Sequence, residues 1–206
     1  PTIVRHRIQD RSHGVETRCG GIGVAAQQGT LISALGGDHF PRKFAYGTDF
    51  VMQPAWHPAG TQFAYVTWNH PAMAWDETTL WLAEVARDAQ GAPYITSKTA
   101  LLSGSSVFQP TFSPDGRHLA YVNESKGWWQ LFVYDLLAGT HKALTAAEAE
   151  HALPAWIQGL RTFAWLPNAG SVSSGALMFL RNTAGFSSAW RIDIKTRKES
   201  QLLELE

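Results

Sequence analysis

Eight histidines, His6, His13, His39, His57, His70, His118, His141 and His151, are the residues of this sequence that invite a metal-binding reading. Metal sites are recognised from ligand spacing, because the ligands must converge on one point. No H-x-x-x-H or C-x-x-C pair occurs and Cys19 is the only cysteine, so no metal site, no cofactor and no internal disulfide are expected. A hydrolase serine set in a strand-to-helix elbow reads G-x-S-x-G, and that pattern is absent. No catalytic residue is therefore assigned. The remaining groups with chemical interest are tryptophans and carboxylates in three stretches: "WNHPAMAWDET" at 68–78, "ESKGWW" at 124–129 and "TAAEAEHALPAW" at 145–156. Clustered tryptophan marks contact surfaces, and loops on a rigid scaffold are where function gathers. The candidate contact residues are Trp68, His70, Trp75, Asp76, Trp128, Trp129, Glu148, Glu150 and Trp156. Thr145 and Glu148 match a capping box, which predicts a short helical turn there.

The elements that would carry these loops are written in a repeat. "QPAWHPAGTQFAYV" begins at Gln53 and "QPTFSPDGRHLAYV" at Gln109, with seven of fourteen positions identical. Each copy runs from a short apolar stretch into a Pro- and Gly-bearing turn and back along a second apolar stretch. This is the pattern of a β-hairpin. "LWLAEV" and "YITSKTALL" add two strands to the first copy; "QLFVYDL" and "KALT" add two to the second. A more divergent copy runs through "RTFAWLPNAG", "ALMFLR", "AWRIDI" and "ESQLLEL", and "IGVAAQQGTLISAL" with "RKFAYG" suggests the rear portion of a fourth. Four antiparallel strands per unit at regular spacing are the signature of propeller blades. A two-sheet sandwich of the same hairpins gives no reason for a turn repeated at constant spacing. The expected fold is all-β, a partial β-propeller of about three and a half four-stranded antiparallel blades. It forms a single unit over 1–206, divided into a partial blade at 1–48 and blades at 49–103, 104–157 and 158–206.

Composition bounds the partners. Apolar residues make up 45% of the chain and charged residues 17%, enough core-forming material for a globular unit. Seventeen basic residues balance seventeen acidic ones, so no field draws in nucleic acid or anionic lipid. No apolar run reaches the roughly 18 residues a membrane helix needs. The lone cysteine fits a reducing compartment, and a cytoplasmic location is expected.

"QPTFSPDGRHLAYV" with "LFVYDLLAGTHKALT" resembles the TolB-like propeller repeat. "YVTWNHPAMAWDETTLWLAEV", "SSVFQPTFSPDG", "GWWQLF" and "ALTAAEAEHALPAWIQGLRTFAWL" resemble the amino-terminal propeller of bacterial peptidases in the prolyl oligopeptidase family, of the dipeptidyl aminopeptidase and acylaminoacyl-peptidase type. The likeness covers about 49–166. Where the family reads Trp-Asp-His-Pro-Asn-Met-Pro-Trp-Asp, this chain has Trp68, Asn69, His70, Pro71, Ala72, Met73, Ala74, Trp75 and Asp76; the family's upstream His-Glu-Tyr-Gly-Gly is only echoed in "VETRCGG". The resemblance implies a serine peptidase as parent, with this chain its non-catalytic part, covering the active site and restricting access to small peptides. Glu148 and Glu150 would then meet a substrate amine, as glutamates do in some relatives. The alternative is a stand-alone TolB-like propeller that serves as a protein-interaction scaffold.

In a blade of alternating strands, the "HPAG", "SPDG" and "AGT" turns share one rim of the disc. The three tryptophan-bearing loops share the other. An array short of closure leaves its end blades without neighbours. Self-association, as a two-fold dimer, or docking with the hydrolase domain and remainder of the parent is therefore expected.

Overall fold

The computed structural model describes residues 16–19, 22–27, 30–34, 42–156, 159–168 and 171–205. Of these, 16–34, 167–168, 171–174 and 203–205 are described as backbone only. The described chain is all β, in four sheets of four antiparallel strands each. The first sheet holds β1 (Glu16–Cys19), β2 (Ile22–Gln27), β3 (Thr30–Ala34) and β4 (Arg42–Tyr46). The second holds β5 (Phe50–Trp56), β6 (Gln62–Trp68), β7 (Thr78–Arg87) and β8 (Pro93–Ser105). The third is β9 (Val107–Phe112), β10 (His118–Ser125), β11 (Trp128–Asp135) and β12 (Thr140–Ala143). The fourth is β13 (Phe163–Asn168), β14 (Ser171–Thr183), β15 (Phe186–Asp193) and β16 (Glu199–Leu205). In every sheet the strands lie in chain order, the simplest up-and-down connection. The opening region, expected to supply only the rear of a blade, carries four paired strands of its own.

The repeat is visible atom for atom in the hairpin turns. Gly60 and Gly116 sit at φ +69° and +70°, where a side chain is strained. Their N–H groups close the turns on His57 O and Ser113 O at 2.8 and 2.9 Å. Within the second strand of each blade, Tyr65 pairs across the sheet with Trp81, Tyr121 with Phe132 and Phe179 with Trp190. These aromatic pairs fix the equivalence of the three blades and stabilise each sheet face.

The sheets stack with a constant polarity. Phe63 and Tyr65 of β6 face Phe44 and Ala45 of the first sheet. The other face of the second sheet, Ala64, Val66 and Leu80, meets Val107, Phe112, Leu119 and Tyr121 of the third. The third sheet then presents Ala120, Val122, Leu131 and Val133 to Phe163, Leu177, Phe179 and Ile192 of the fourth. A sheet covered on both sides needs apolar residues at every position, not at alternate ones. Hence β6 and β10 each hold five consecutive buried residues.

A second repeated device joins neighbouring blades. Gln53 and Gln109 each precede a proline and take a left-handed backbone, φ +52° and +59°. Both are wholly buried. The Gln53 side-chain oxygen accepts the Gln109 N–H, and the Gln109 oxygen accepts the Thr162 N–H at 2.8 Å. Each inner strand thereby satisfies a main-chain donor of the next, where no ladder partner exists.

The helical turn expected at 145–148 does not form. Leu131 N–H in β11 needs an acceptor beyond the end of β12, and Thr145 Oγ1 supplies it at 3.0 Å while donating to Gln130 Oε1 at 2.7 Å. Thr145 is buried by that role and is not free to cap a helix.

Candidate functional site

The three tryptophan-bearing loops meet on one rim and line an open cavity of about 370 Å³. Trp75 comes from the β6–β7 loop; Glu124, Gly127 and Trp129 come from the β10–β11 hairpin; Glu150, Pro154 and Trp156 come from the connection between β12 and β13. Its volume falls in the lower part of the range of small-molecule pockets, about 300–1,000 Å³, and suits a ligand of one or two amino-acid residues. Among the described residues the lining holds two carboxylates and no cation.

Trp75 and Trp156 close one wall, their ring centroids 4.3 Å apart at 44°. Trp156 is 70% exposed, so its indole stands out of the surface while Trp75 is half-buried behind it. Trp129 forms the floor and packs edge-on against Phe108, 5.2 Å away. Its main-chain N–H donates to Glu150 Oε2 at 3.1 Å, which ties that carboxylate to the third sheet. Glu150 is held at both ends, since its backbone bridges Asn182 at the end of β14. Aromatic faces beside carboxylates favour a cationic or amine-bearing ligand.

Behind the floor lies a buried polar chain that spacing arguments miss. His151 Nδ1–H donates to Trp129 O at 3.0 Å. His151 Nε2 accepts from Arg181 Nε at 3.0 Å, and Arg181 Nη2 donates to Glu199 Oε2 at 2.7 Å. The guanidinium also lies over the Trp190 ring at 4.3 Å. Burial first, and the Arg181 charge in addition, push the His151 imidazole down to about 4. It is a neutral ring of fixed tautomer, set by Arg181 on one side and a carbonyl on the other. His151 entered the sequence reading only as a metal candidate. Among the described residues no group of three or more His, Cys, Asp or Glu side chains is arranged to hold a metal.

Four of the nine candidate residues, Trp75, Trp129, Glu150 and Trp156, line the cavity together. The other five stand elsewhere. Trp68 stacks on Phe50 at 5.0 Å and 9°. His70 is exposed, and its backbone N–H donates to Asp49 Oδ2 at 2.9 Å. Asp76 Oδ2 accepts the Met73 N–H at 2.9 Å, which shapes the loop that presents Trp75. Neither Trp128, which is half-buried, nor Glu148, which is exposed, lines the cavity. Glu124 was not singled out in the sequence; its loop was, because of the tryptophans.

No protein-family model matches the chain. Among solved structures, a puromycin hydrolase S511A mutant complexed with PGG superposes with TM-score 0.74 at 23% identity, covering 91% of this chain and 30% of that one. A puromycin-hydrolyzing peptidase of Mycobacterium tuberculosis gives TM-score 0.62 at 19% identity, over 93% of this chain and 37% of that one. TolB from Acinetobacter baumannii gives 0.53 at 19%, over 92% and 40%. The chain thus spans well under half the length of these neighbours. Likeness at this level shows the fold: the chain is a partial β-propeller, built like the corresponding parts of puromycin-hydrolysing peptidases and TolB.

Proposed function

We propose that this chain is the non-catalytic propeller portion of a prolyl oligopeptidase-type serine peptidase, whose tryptophan-bearing rim faces the substrate path and admits only small peptides. The observation that carries this reading is the cavity formed jointly by Trp75, Trp129, Glu124, Glu150 and Trp156. It lies where three loops resembling those of the peptidases converge. Its size excludes a folded chain and suits one end of a short peptide. Glu150, held by the Trp129 N–H, is the carboxylate that would meet a protonated amine in this reading. The likeness to a puromycin-hydrolyzing peptidase supports a peptide as the ligand class.

Titration of the chain with di- and tripeptides, followed by tryptophan fluorescence, tests the reading. Saturable quenching by peptides with a free amino end is expected, weakened about tenfold or more by amino-terminal acetylation or by Glu150→Gln. The chain alone is expected to hydrolyse none of them. An unchanged fluorescence across the series overturns the reading. It would favour the scaffold alternative, for which the exposed Leu153 and Trp156, 52% and 70% accessible, would be contact residues for a protein.

A further inference from the structure

The floor of the cavity is held by residues that are also bonded to the next blade. β12 ends at Ala143, opposite Phe132, so Trp129, nearer the start of β11, lies beyond that ladder. Residues 150 and 151 serve it instead. The Trp129 N–H donates to Glu150 Oε2 at 3.1 Å, and the Trp129 carbonyl accepts both the main-chain N–H and the ring Nδ1–H of His151, each at 3.0 Å. The same two residues are bonded to the fourth sheet. Glu150 exchanges main-chain bonds of 3.1 and 2.8 Å with Asn182. The His151 carbonyl accepts from Thr162 Oγ1 at 2.8 Å, and its Nε2 accepts from Arg181 Nε at 3.0 Å. All four polar atoms of His151 are thus engaged, and a short strap couples Trp129 to β13 and β14. His151 is 1% exposed and Arg181 8%, so water does not compete for these bonds.

We infer that Arg181, which lines no part of the cavity, is a positioning residue that fixes the cavity's floor and its Glu150 carboxylate by dictating the His151 tautomer. A neutral imidazole has one N–H and one bare nitrogen. A guanidinium only donates and keeps its charge, so the nitrogen facing Arg181 must be the bare one. The proton is thereby left on Nδ1, the position from which the ring donates to the Trp129 carbonyl. In the other tautomer two N–H groups oppose each other at Nε2, and the ring turns a lone pair toward the Trp129 oxygen. Arg181 is itself held by two contacts suited to a planar fork. Its Nη2 donates to Glu199 Oε2 at 2.7 Å, and the guanidinium lies 4.3 Å from the Trp190 ring centre. A lysine supplies one compact charge and does not reproduce that fork. The order Glu199, Arg181, His151, Trp129 thus carries the geometry of the edge strand β16 to the cavity, and only Trp129 among them lines it. The effect on affinity rests on the peptide-binding reading of the cavity, whereas the tautomer and the Trp129 contact do not.

Nitrogen NMR of the His151 ring at neutral pH tests it, with the signal identified by its loss in His151→Gln. The unaltered chain is expected to show the Nδ1–H tautomer alone. Arg181→Met should admit the Nε2–H tautomer, shift the main-chain amide signal of Trp129 and weaken the peptide binding read by tryptophan fluorescence about tenfold. Glu199→Gln, whose carboxamide oxygen still accepts from Nη2, should keep the tautomer and stay within about twofold of the parent affinity. Should Arg181→Met fail to fold by circular dichroism, Glu199→Ala carries the same test, because it frees the guanidinium without removing it. The same changes are then expected, with a loss of affinity of about threefold. An Nε2–H tautomer in the unaltered chain overturns the inference. So does a tautomer and a Trp129 amide indifferent to the loss of Arg181 or, failing that variant, of Glu199. If no peptide binds the unaltered chain, the reading of the cavity falls, while a Trp129 shift that tracks the tautomer still upholds the role of Arg181.

Discussion

The two rims of this propeller are made in different ways. On the rim of short turns, each hairpin is closed by its own residues: His57 N donates to Gln62 O and Gly60 N to His57 O, and the same pair of bonds recurs between Ser113, His118 and Gly116. On the tryptophan-bearing rim, contacts span long stretches of chain. Trp75 packs on Trp156 in one wall of the cavity, Trp129 is anchored by Glu150, and the polar chain behind it runs from His151 to Arg181 and Glu199. One rim is a set of local turns that differ little from blade to blade. The other is a single tertiary object to which three blades and their connections contribute. Variation of the first kind should act on stability blade by blade, and of the second on the cavity as a whole.

The largest expected effect lies on the local rim, at the one place where it too becomes tertiary. A Cβ added to Gly116 would stand 2.3 Å from His57 Nε2, at a backbone φ of +70°. His57 cannot retreat without loss, because Nε2 bonds Gly116 O at 2.9 Å and the ring packs on Phe112. Gly116→Val is therefore expected to destabilise the fold by about 3–5 kcal/mol, from left-handed backbone strain and the displaced ring together. Denaturant unfolding measures it. A loss below about 1 kcal/mol would mean that the turn relaxes independently of the neighbouring blade.

The second effect belongs to the other rim and is read through pH. Folded His151 stays neutral down to about pH 4, while the unfolded chain takes up the proton near the ordinary 6.5. Its contribution is complete above 6.5 and is lost as pH falls toward 4, an effect on the order of 3 kcal/mol. Melting temperatures of the chain and of His151→Gln across that window should differ in slope, with the variant flatter. Parallel profiles would show that the imidazole accepts a proton in the folded state and that the Arg181 contact yields.

The smallest effect compares sister turns on the local rim. In "SPDG", Asp115 Oδ1 accepts from Ser113 Oγ at 2.6 Å and from Arg117 N at 3.1 Å. In "HPAG", His57 Nδ1 already accepts the Ala59 N–H at 3.1 Å. Ala59→Asp supplies the missing acceptor for the far side of the turn and should be neutral or stabilising by up to about 0.5 kcal/mol. A clear drop in melting temperature would show that the histidine and aspartate versions of the turn are incompatible.

The sequence alone determined the elements: strand, turn and strand again, because apolar stretches, prolines and glycines act within a few residues and their repetition at near-constant spacing admits a propeller more readily than a sandwich. It also placed the tryptophan-bearing loops on one rim, since alternating strand direction sorts turns without reference to any contact. It did not reveal what Gln53 and Gln109 do, although their identity was plain. Their carboxamides satisfy N–H groups more than fifty residues away, and no local pattern encodes an acceptor at that distance. Thr145 was misread for the same reason: a capping box is a local signal, and the unpaired Leu131 N–H that claims its hydroxyl exists only once β11 and β12 are side by side. Which of the nine candidate residues share a cavity, and that His151 is locked neutral between Trp129 and Arg181, were likewise decided by stacking. Sheet-on-sheet packing brings together residues far apart in sequence, and their mutual geometry is set by the twist and spacing of whole sheets that no single stretch contains.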